Sequence, residues 1–221
     1  MYDFRDMNVF TGDETPSYPA EAMQVDGTYL EDVILGYRTL QVTGRELLNQ
    51  DVAKQQIGRS DGESLQYVRN PSREITVVYE LVSASNQEFR QSFRKMNEVL
   101  HGEQHQLIFN DDKTKYWLGT FSDVEEVPGG RNSITSSFSF EVVDGVAHSI
   151  DVSTAVVDET GKINIDNRGT YPTYPIITAK MKSDNGLVAM VNDNGGVLEF
   201  GNPDEIDGVT KQKSDKAFYC G

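Results

Sequence analysis

The chain has 221 residues, 37% of them hydrophobic, and its 35 acidic and 20 basic side chains give a formal charge of -15. That length accommodates one large or two modest domains, and no apolar run is long enough for a transmembrane span or a secretory signal. Such an acidic surface repels nucleic acid, no local basic patch offsets it, and a single cysteine, Cys220, excludes an internal disulfide framework.

Six acidic residues open the chain: Asp3, Asp6, Asp13, Glu14, Glu21 and Asp26. Residues 27–40 then predict a strand interrupted at Gly36. Arg73 to Val82 (REITVVYELV) predicts another, with Ile75, Val77, Tyr79 and Leu81 on one side. A helix is expected over 86–101. Ser85 is placed to cap its first turn, and Glu88 to complete a capping box. Phe89, Phe93, Met96 and Leu100 fall on one face at helical spacing with Val99 beside them, while Arg90, Arg94 and Lys95 are polar neighbours. Gly102 is the expected terminator. Burying four such side chains is worth roughly 6–12 kcal/mol before entropy is counted. We read this stripe as the seat of the helix on its own sheet, with Phe93 at its centre, rather than as a partner-binding face.

Leu107–Phe109 is a short apolar run, ended by a tight turn at Asn110, Asp111 and Asp112. Tyr116, Leu118 and Thr120 alternate with Trp117, Gly119 and Phe121, so both faces of this strand carry bulk. Ile134, Ser136, Phe138, Phe140 and Val142 set against Thr135, Ser137, Ser139 and Glu141 give a clear period of two. The PGGR sequence at 128–131 is the turn between these last strands. A domain boundary is expected within 144–153. Beyond it come short runs at Ile163–Ile165, Ile176–Met181, Leu187–Val191 and Val197–Phe200, split by turns and by Pro172 and Pro175. Three or four such strands are the signature of a small sandwich or barrel but too few to complete one. Either later strands are absent from this chain or a partner completes the sheet.

Chemistry is sparse. His101 and His105 are four apart but separated by Gly102, His148 stands in the expected linker, and no serine has a base and acid placed by a motif. Asp111–Asp112, Asp158–Glu159 and Asp193–Asn194 resemble pieces of calcium loops but lack the spaced ligand set; turn chemistry explains them better. Gly58, Gly62, Gly129 and Gly130 have no phosphate-loop context. A wall hydrolase would need two carboxylates at a defined gap, and the sequence selects no pair. No catalytic residue, cofactor or metal is expected, and the chain is read as a building block rather than an enzyme.

The order of the segments resembles the distal tail protein family of long-tailed, non-contractile bacteriophages, particularly those infecting Gram-positive bacteria. The matching pieces are Gly44–Arg45 ahead of Gly58–Arg59–Ser60–Asp61–Gly62, the strand from Arg73, and the helix ending in Asn97–Glu98–Val99–Leu100. Leu107–Asp111 leading into Tyr116–Gly119, the strand Ile134–Val142, and Asn167–Ile176 ahead of a galectin-like domain complete the series. The resemblance covers nearly the whole chain. It implies a mainly β protein. Residues 1–145 would form an α+β N-terminal ring domain with one packed helix, and 146–221 a partial galectin-like β-sandwich.

As the resemblance has it, the chain assembles as a homo-hexameric ring at the virion tail tip (the baseplate). The ring would join the tail tube protein to the tail-associated hub protein and carry receptor-binding parts, with no nucleic-acid binding and no membrane insertion. Closed rings satisfy sheet edges that a monomer leaves bare, so the expected interface is Gly58, Arg59, Asp61, Gly62, Thr120, Phe121 and Arg131. The chain departs from the family in reading Val143–Asp144–Gly145 where an Asp-Pro doublet is usual. It also stops where only part of the galectin-like sheet would be made, and Gly201–Asn202–Pro203–Asp204–Glu205 resembles a loop of the kind that precedes carbohydrate-binding insertions, so a piece of a longer protein is expected. The alternative is a carbohydrate-binding module for a cell-wall saccharide, with Trp117, Tyr171, Tyr174 or Tyr219 as stacking platforms.

Overall fold

Ile75, Val77, Tyr79 and Leu81 are wholly buried, and they form the spine of the molecule. They lie on one side of a ten-residue strand whose opposite side, at Glu74, Thr76, Val78, Glu80 and Val82, is half-buried or exposed. The computed structural model describes residues 18–59, 61–127, 129–180 and 187–201. Asp3, Asp6, Asp13, Glu14, Ser60, Pro128, the turn at 183–186, the loop at 202–205, Tyr219 and Cys220 lie outside the described residues. The chain divides into two compact units, 1–166 and 167–221.

In the first unit the chain begins with strands β1 (Met23–Val25) and β2 (Thr28–Tyr29), a single helical turn α1 (Leu30–Val33) and strand β3 (Tyr37–Thr43). Then come β4 (Asp51–Gln56), β5 (Glu63–Arg69), the spine strand β6 (Arg73–Val82) and helix α2 (Asn86–Leu100). β7 (His105–Phe109), β8 (Asp112–Val124), β9 (Ser133–Val142) and the short β10 (His148–Ser149) follow. The main sheet runs β2-β1-β7-β8-β9-β6-β3, and β10 pairs with β8. All of its pairings are antiparallel, and β6 and β9 are in register over their full length, from Arg73 opposite Val142 to Val82 opposite Ser133. One contiguous core joins the inner faces of β3, β6, β8 and β9 to Met23, Val25, Leu30, Ile34, Phe89, Met96 and Leu100.

The two ends of this sheet are tied by carboxylates rather than by a strand ladder. Glu21, before β1, accepts the Val42 N–H at 2.8 Å, and Glu31 of α1 accepts the Thr39 N–H at 3.0 Å. Both donors belong to β3, the last strand at the other end. Arg45 reinforces the tie, reaching Glu21 at 3.2 Å and Asp111 at 2.7 Å. A bare edge of β3 would be a template for another chain. Its outward amides are occupied instead.

The capping at α2 is as the sequence suggests, with one shift. The Glu88 N–H donates to Ser85 Oγ at 3.3 Å, but the Glu88 carboxylate reaches the Ala84 N–H rather than that of Ser85. The helix ends because His101 turns extended, at φ -85° and ψ 133°. Gly102 contributes room: a Cβ there would stand 2.7 Å from His105 Nε2. The buried stripe is Phe89, Ser92, Met96 and Leu100. Phe93 is half-buried on its flank, edge-on to Phe89 with ring centroids 5.0 Å apart. Ser92 takes the centre because its hydroxyl donates to the Leu35 carbonyl at 2.9 Å, where the helix passes the loop before β3.

Three expectations are corrected, and one element appears that the sequence did not suggest. Residues 27–40 are not one interrupted strand: Leu30 and Ile34, four apart and both buried, make a helical turn, and Gly36 at φ +77° redirects the chain into β3. The polar stretch 51–69 is a β-hairpin, with Asp51 opposite Arg69 and Gln56 opposite Glu63. His148 is not in an open linker; it pairs opposite Tyr116, stacks on that ring and meets Asp144 at 2.6 Å. Among the described residues, the apolar runs at 163–165 and 176–180 form no ladder. Pro175 removes a donor there, and Tyr174 and Ile176 stay almost fully exposed. In the second unit the described ladder is a hairpin, β11 (Leu187–Val191) with β12 (Val197–Gly201), joined by a turn in which Asn192 Oδ1 accepts the N–H groups of Asn194 and Gly196.

Candidate functional site

The ribbon of β4 and β5 pairs with no strand of the main sheet. Its cross-strand contacts are solvent-facing: Lys54–Glu63 at 3.6 Å, Arg69–Asp51 at 3.1 Å, and Gln66 to Gln55 at 2.7 Å. Exposed pairs of this kind contribute little, and an isolated two-stranded ribbon is marginal in water. Yet it displays Val52, Ile57, Leu65, Tyr67 and Val68, with Ile57, Leu65 and Tyr67 each about 60% exposed. Gly58 and Gly62, at φ +55° and +84°, shape its tip; Arg59 and Asp61 between them are exposed.

The remaining residues expected at an interface belong to a different sheet. Thr120 and Phe121 are neighbours in β8. The Thr120 hydroxyl donates to the Glu103 carbonyl, and Phe121 packs half-buried against Phe138, Phe140 and the His101 ring. Arg131 is exposed in the connection between β8 and β9. The sequence signal for the tip was its glycines. The apolar side chains on the ribbon were missed, because they alternate with no buried face.

Most polar groups elsewhere have structural partners, although the buried Tyr79 hydroxyl and Ser83 Oγ have no hydrogen-bond partner among the described residues. A cavity of about 380 Å³ opens beside Arg45, Glu46, Phe109, Asp111, Lys115 and Trp117. Its guanidinium neighbour Arg45 already lies between Glu21 and Asp111 and over the Phe109 ring at 4.3 Å. Trp117 is buried beneath Arg73, 4.8 Å from its ring centre, so it is not an open platform for a sugar. Tyr171 and Tyr174 are exposed. His101 and His105 have separate partners, the Asn97 carbonyl and Asp26. No group of three potential metal ligands gathers among the described residues. Asp158 holds its own loop, taking hydrogen bonds from the Thr160 hydroxyl and from the Thr160 and Lys162 amides, the first of which leads in holding its carboxyl below the usual range.

Asp26 yields a pH prediction. Partial burial pushes its carboxyl up, but hydrogen bonds from His105 at 2.7 Å and the Gln106 N–H at 2.8 Å outweigh that and hold it below the usual value. A depressed native pKa gives stability that is complete above the unfolded value, about 4, and is lost as pH falls through the native one. Thermal midpoints of the native chain and of Asp26→Asn should therefore differ most at neutral pH and converge toward pH 3. A difference that stays constant over that range would contradict the pairing.

The described residues thus present an all-antiparallel main sheet with one long packed helix, and a two-stranded ribbon that pairs with no strand of that sheet. Residues 25–142 match the family model of the phage tail protein RIFT-related domain. The match spans more than half of the chain, which belongs to that family: it is a structural protein of a bacteriophage tail. Among solved structures it is similar to the Dit protein of phage SPP1, described as a paradigm of the hub adsorption apparatus in phages infecting Gram-positive hosts. The two share 23% sequence identity with a TM-score of 0.54, over 61% of this chain and 54% of that one. The likeness establishes a shared fold, and this chain spans about half the length of the SPP1 protein's structure. No curated protein matches it by sequence. Family and fold agree with the resemblance to distal tail proteins carried by the segment order.

Proposed function

We propose that the chain is the ring-forming hub subunit of a siphophage tail tip. Residues 1–145 form a homo-hexameric ring, which joins the tail tube protein to the tail-associated hub protein. Residues 146–221 belong to a galectin-like outer domain that carries host-adhesion parts, a receptor-binding protein or a cell-wall saccharide site. The observation that carries this reading is the β4–β5 ribbon. It presents five exposed apolar side chains, and among the described residues no other strand pairs with it. Contact between neighbouring copies around a closed ring removes that surface from water and leaves no copy with an unmatched face.

In the ring, the tip at Gly58, Arg59, Asp61 and Gly62 meets a neighbouring copy, as do Thr120, Phe121 and Arg131. A closed ring also needs no strand addition at β3, whose outward amides Glu21 and Glu31 already take. Mass measurement across a wide concentration range tests the proposal, on this chain and on the same chain carrying whatever sequence follows it in the virion. A species of six copies is expected. A strict monomer for both proteins would overturn the ring.

A further inference from the structure

Arg73 stands at the first position of β6, nearly buried, with its guanidinium over Trp117. Its donors reach backbone carbonyls: Nη1 donates to Gly44 at 2.7 Å and to Glu46 at 3.1 Å, and Nε donates to Gly145 at 3.3 Å. Burial pushes its pKa down from the usual arginine value, but a guanidinium stays charged in a protein. A buried cation is tolerated only where its donors are met, so these carbonyls are held in fixed positions around one planar fork.

The carbonyls come from two places far apart in sequence. Gly44 and Glu46 lie between β3 and β4, at the root of the exposed ribbon. Gly145 follows β9, where the chain leaves the sheet. Both glycines are pressed against the backbone flanking Arg73: a Cβ on Gly44 would lie 2.0 Å from the Glu74 carbonyl oxygen, and one on Gly145 would lie 2.6 Å from that of Pro71. The two segments therefore touch the same side chain and the same stretch of main chain.

We propose that Arg73 is a positioning residue, which sets how the β4–β5 ribbon leaves the main sheet and couples its root to the exit of β9. Its value for assembly rests on the ribbon being the ring contact; the coupling itself does not. A lysine keeps charge and stem but lacks the fork that joins separated carbonyls.

Native-state hydrogen exchange on the unmodified chain is the first test. The Gly44 N–H, bonded to Glu46 Oε2 at 3.0 Å, and the Gly145 N–H, bonded to the Val142 carbonyl at 3.1 Å, report the two sides. Both should open in one step, with equal free energy and equal denaturant dependence, below the opening of the β6–β9 ladder. Two different openings would overturn the coupling.

In Arg73→Lys, protection at both amides should fall together by about 10- to 100-fold, the loss of a charge-assisted hydrogen bond. The β6–β9 amides should change far less, and the yield of assembled ring should drop. Equal loss at every amide would reduce Arg73 to general stabilisation and overturn its positioning role. Should that variant fail to fold, the two wild-type openings still decide. If coupled opening is found but a chain lacking the ribbon still forms rings, the assembly reading falls and the clamp stands.

Discussion

Gly44→Ala should destabilise the first unit by about 3–5 kcal/mol, the sum of left-handed backbone strain and of forcing an atom into a filled space. The residue sits at φ +90°, and its missing Cβ would be 2.0 Å from the Glu74 carbonyl oxygen and 3.2 Å from the Ile75 Cα. Both neighbours are main chain of the spine strand, so no side-chain rotation relieves the collision. Gly62 is the matched control. Its φ of +84° is nearly the same, but nothing lies within 4 Å of where its Cβ would be. Gly62→Ala should cost only the strain, about 1–2 kcal/mol. Denaturant unfolding of the two variants, read at a concentration where neither associates, separates strain from collision. Equal losses would mean that β3 can move away from β6, and the close approach would not be a constraint.

The contrast between these glycines also shows what a sequence exposes. β6, β9 and α2 were legible because each buries one face against a single core, which writes a period of 2 or 3.6 into the side chains. Residues 51–69 carry no such period, since neither face of the ribbon is buried among the described residues, and the sequence marks only the tip around Gly58 and Gly62. The carboxylate ties of Glu21 and Glu31 are equally silent: a glutamate accepting an edge amide reads like any other surface acid. Arg73 was visible as the first residue of a strand, but its partners are carbonyls, which every residue has.

Phe93 illustrates the limit from inside a correct element. Hydrophobic spacing puts a phenylalanine at the middle of the helical face, but close passage of α2 over the Leu35 carbonyl requires a small hydroxyl there. Ser92 occupies the centre and Phe93 the margin. Phe93→Ala should consequently fall short of the about 3–5 kcal/mol that truncating a fully buried phenylalanine costs. The exposed apolar side chains of the ribbon are hidden in the same way, because no described residue of the chain buries them.

If the ribbon is the ring contact we propose, removing it should leave the chain monomeric with the main sheet still folded. The excision is geometrically simple. Asp51 and Arg69 face each other at the root, and Gln50 and Asn70 just outside are joined by a side-chain hydrogen bond at 3.1 Å. An Asn-Gly pair can close such a gap as a two-residue turn. No described residue from 51 to 69 is among the buried ones, so the variant's thermal midpoint should stay within a few degrees, about the shift from 1 kcal/mol in a domain of this size. Its mass should fall to that of one copy at concentrations where the native chain is assembled. A gentler variant, Leu65→Asp with Tyr67→Asp, sets charges on the same exposed side chains and should weaken association without altering unfolding, since desolvating an unpaired carboxylate opposes contact. Rings that persist in both variants would move the interface to the region of Thr120, Phe121 and Arg131. A main sheet that unfolds when the ribbon is excised would show instead that this hairpin supports the core of its own chain.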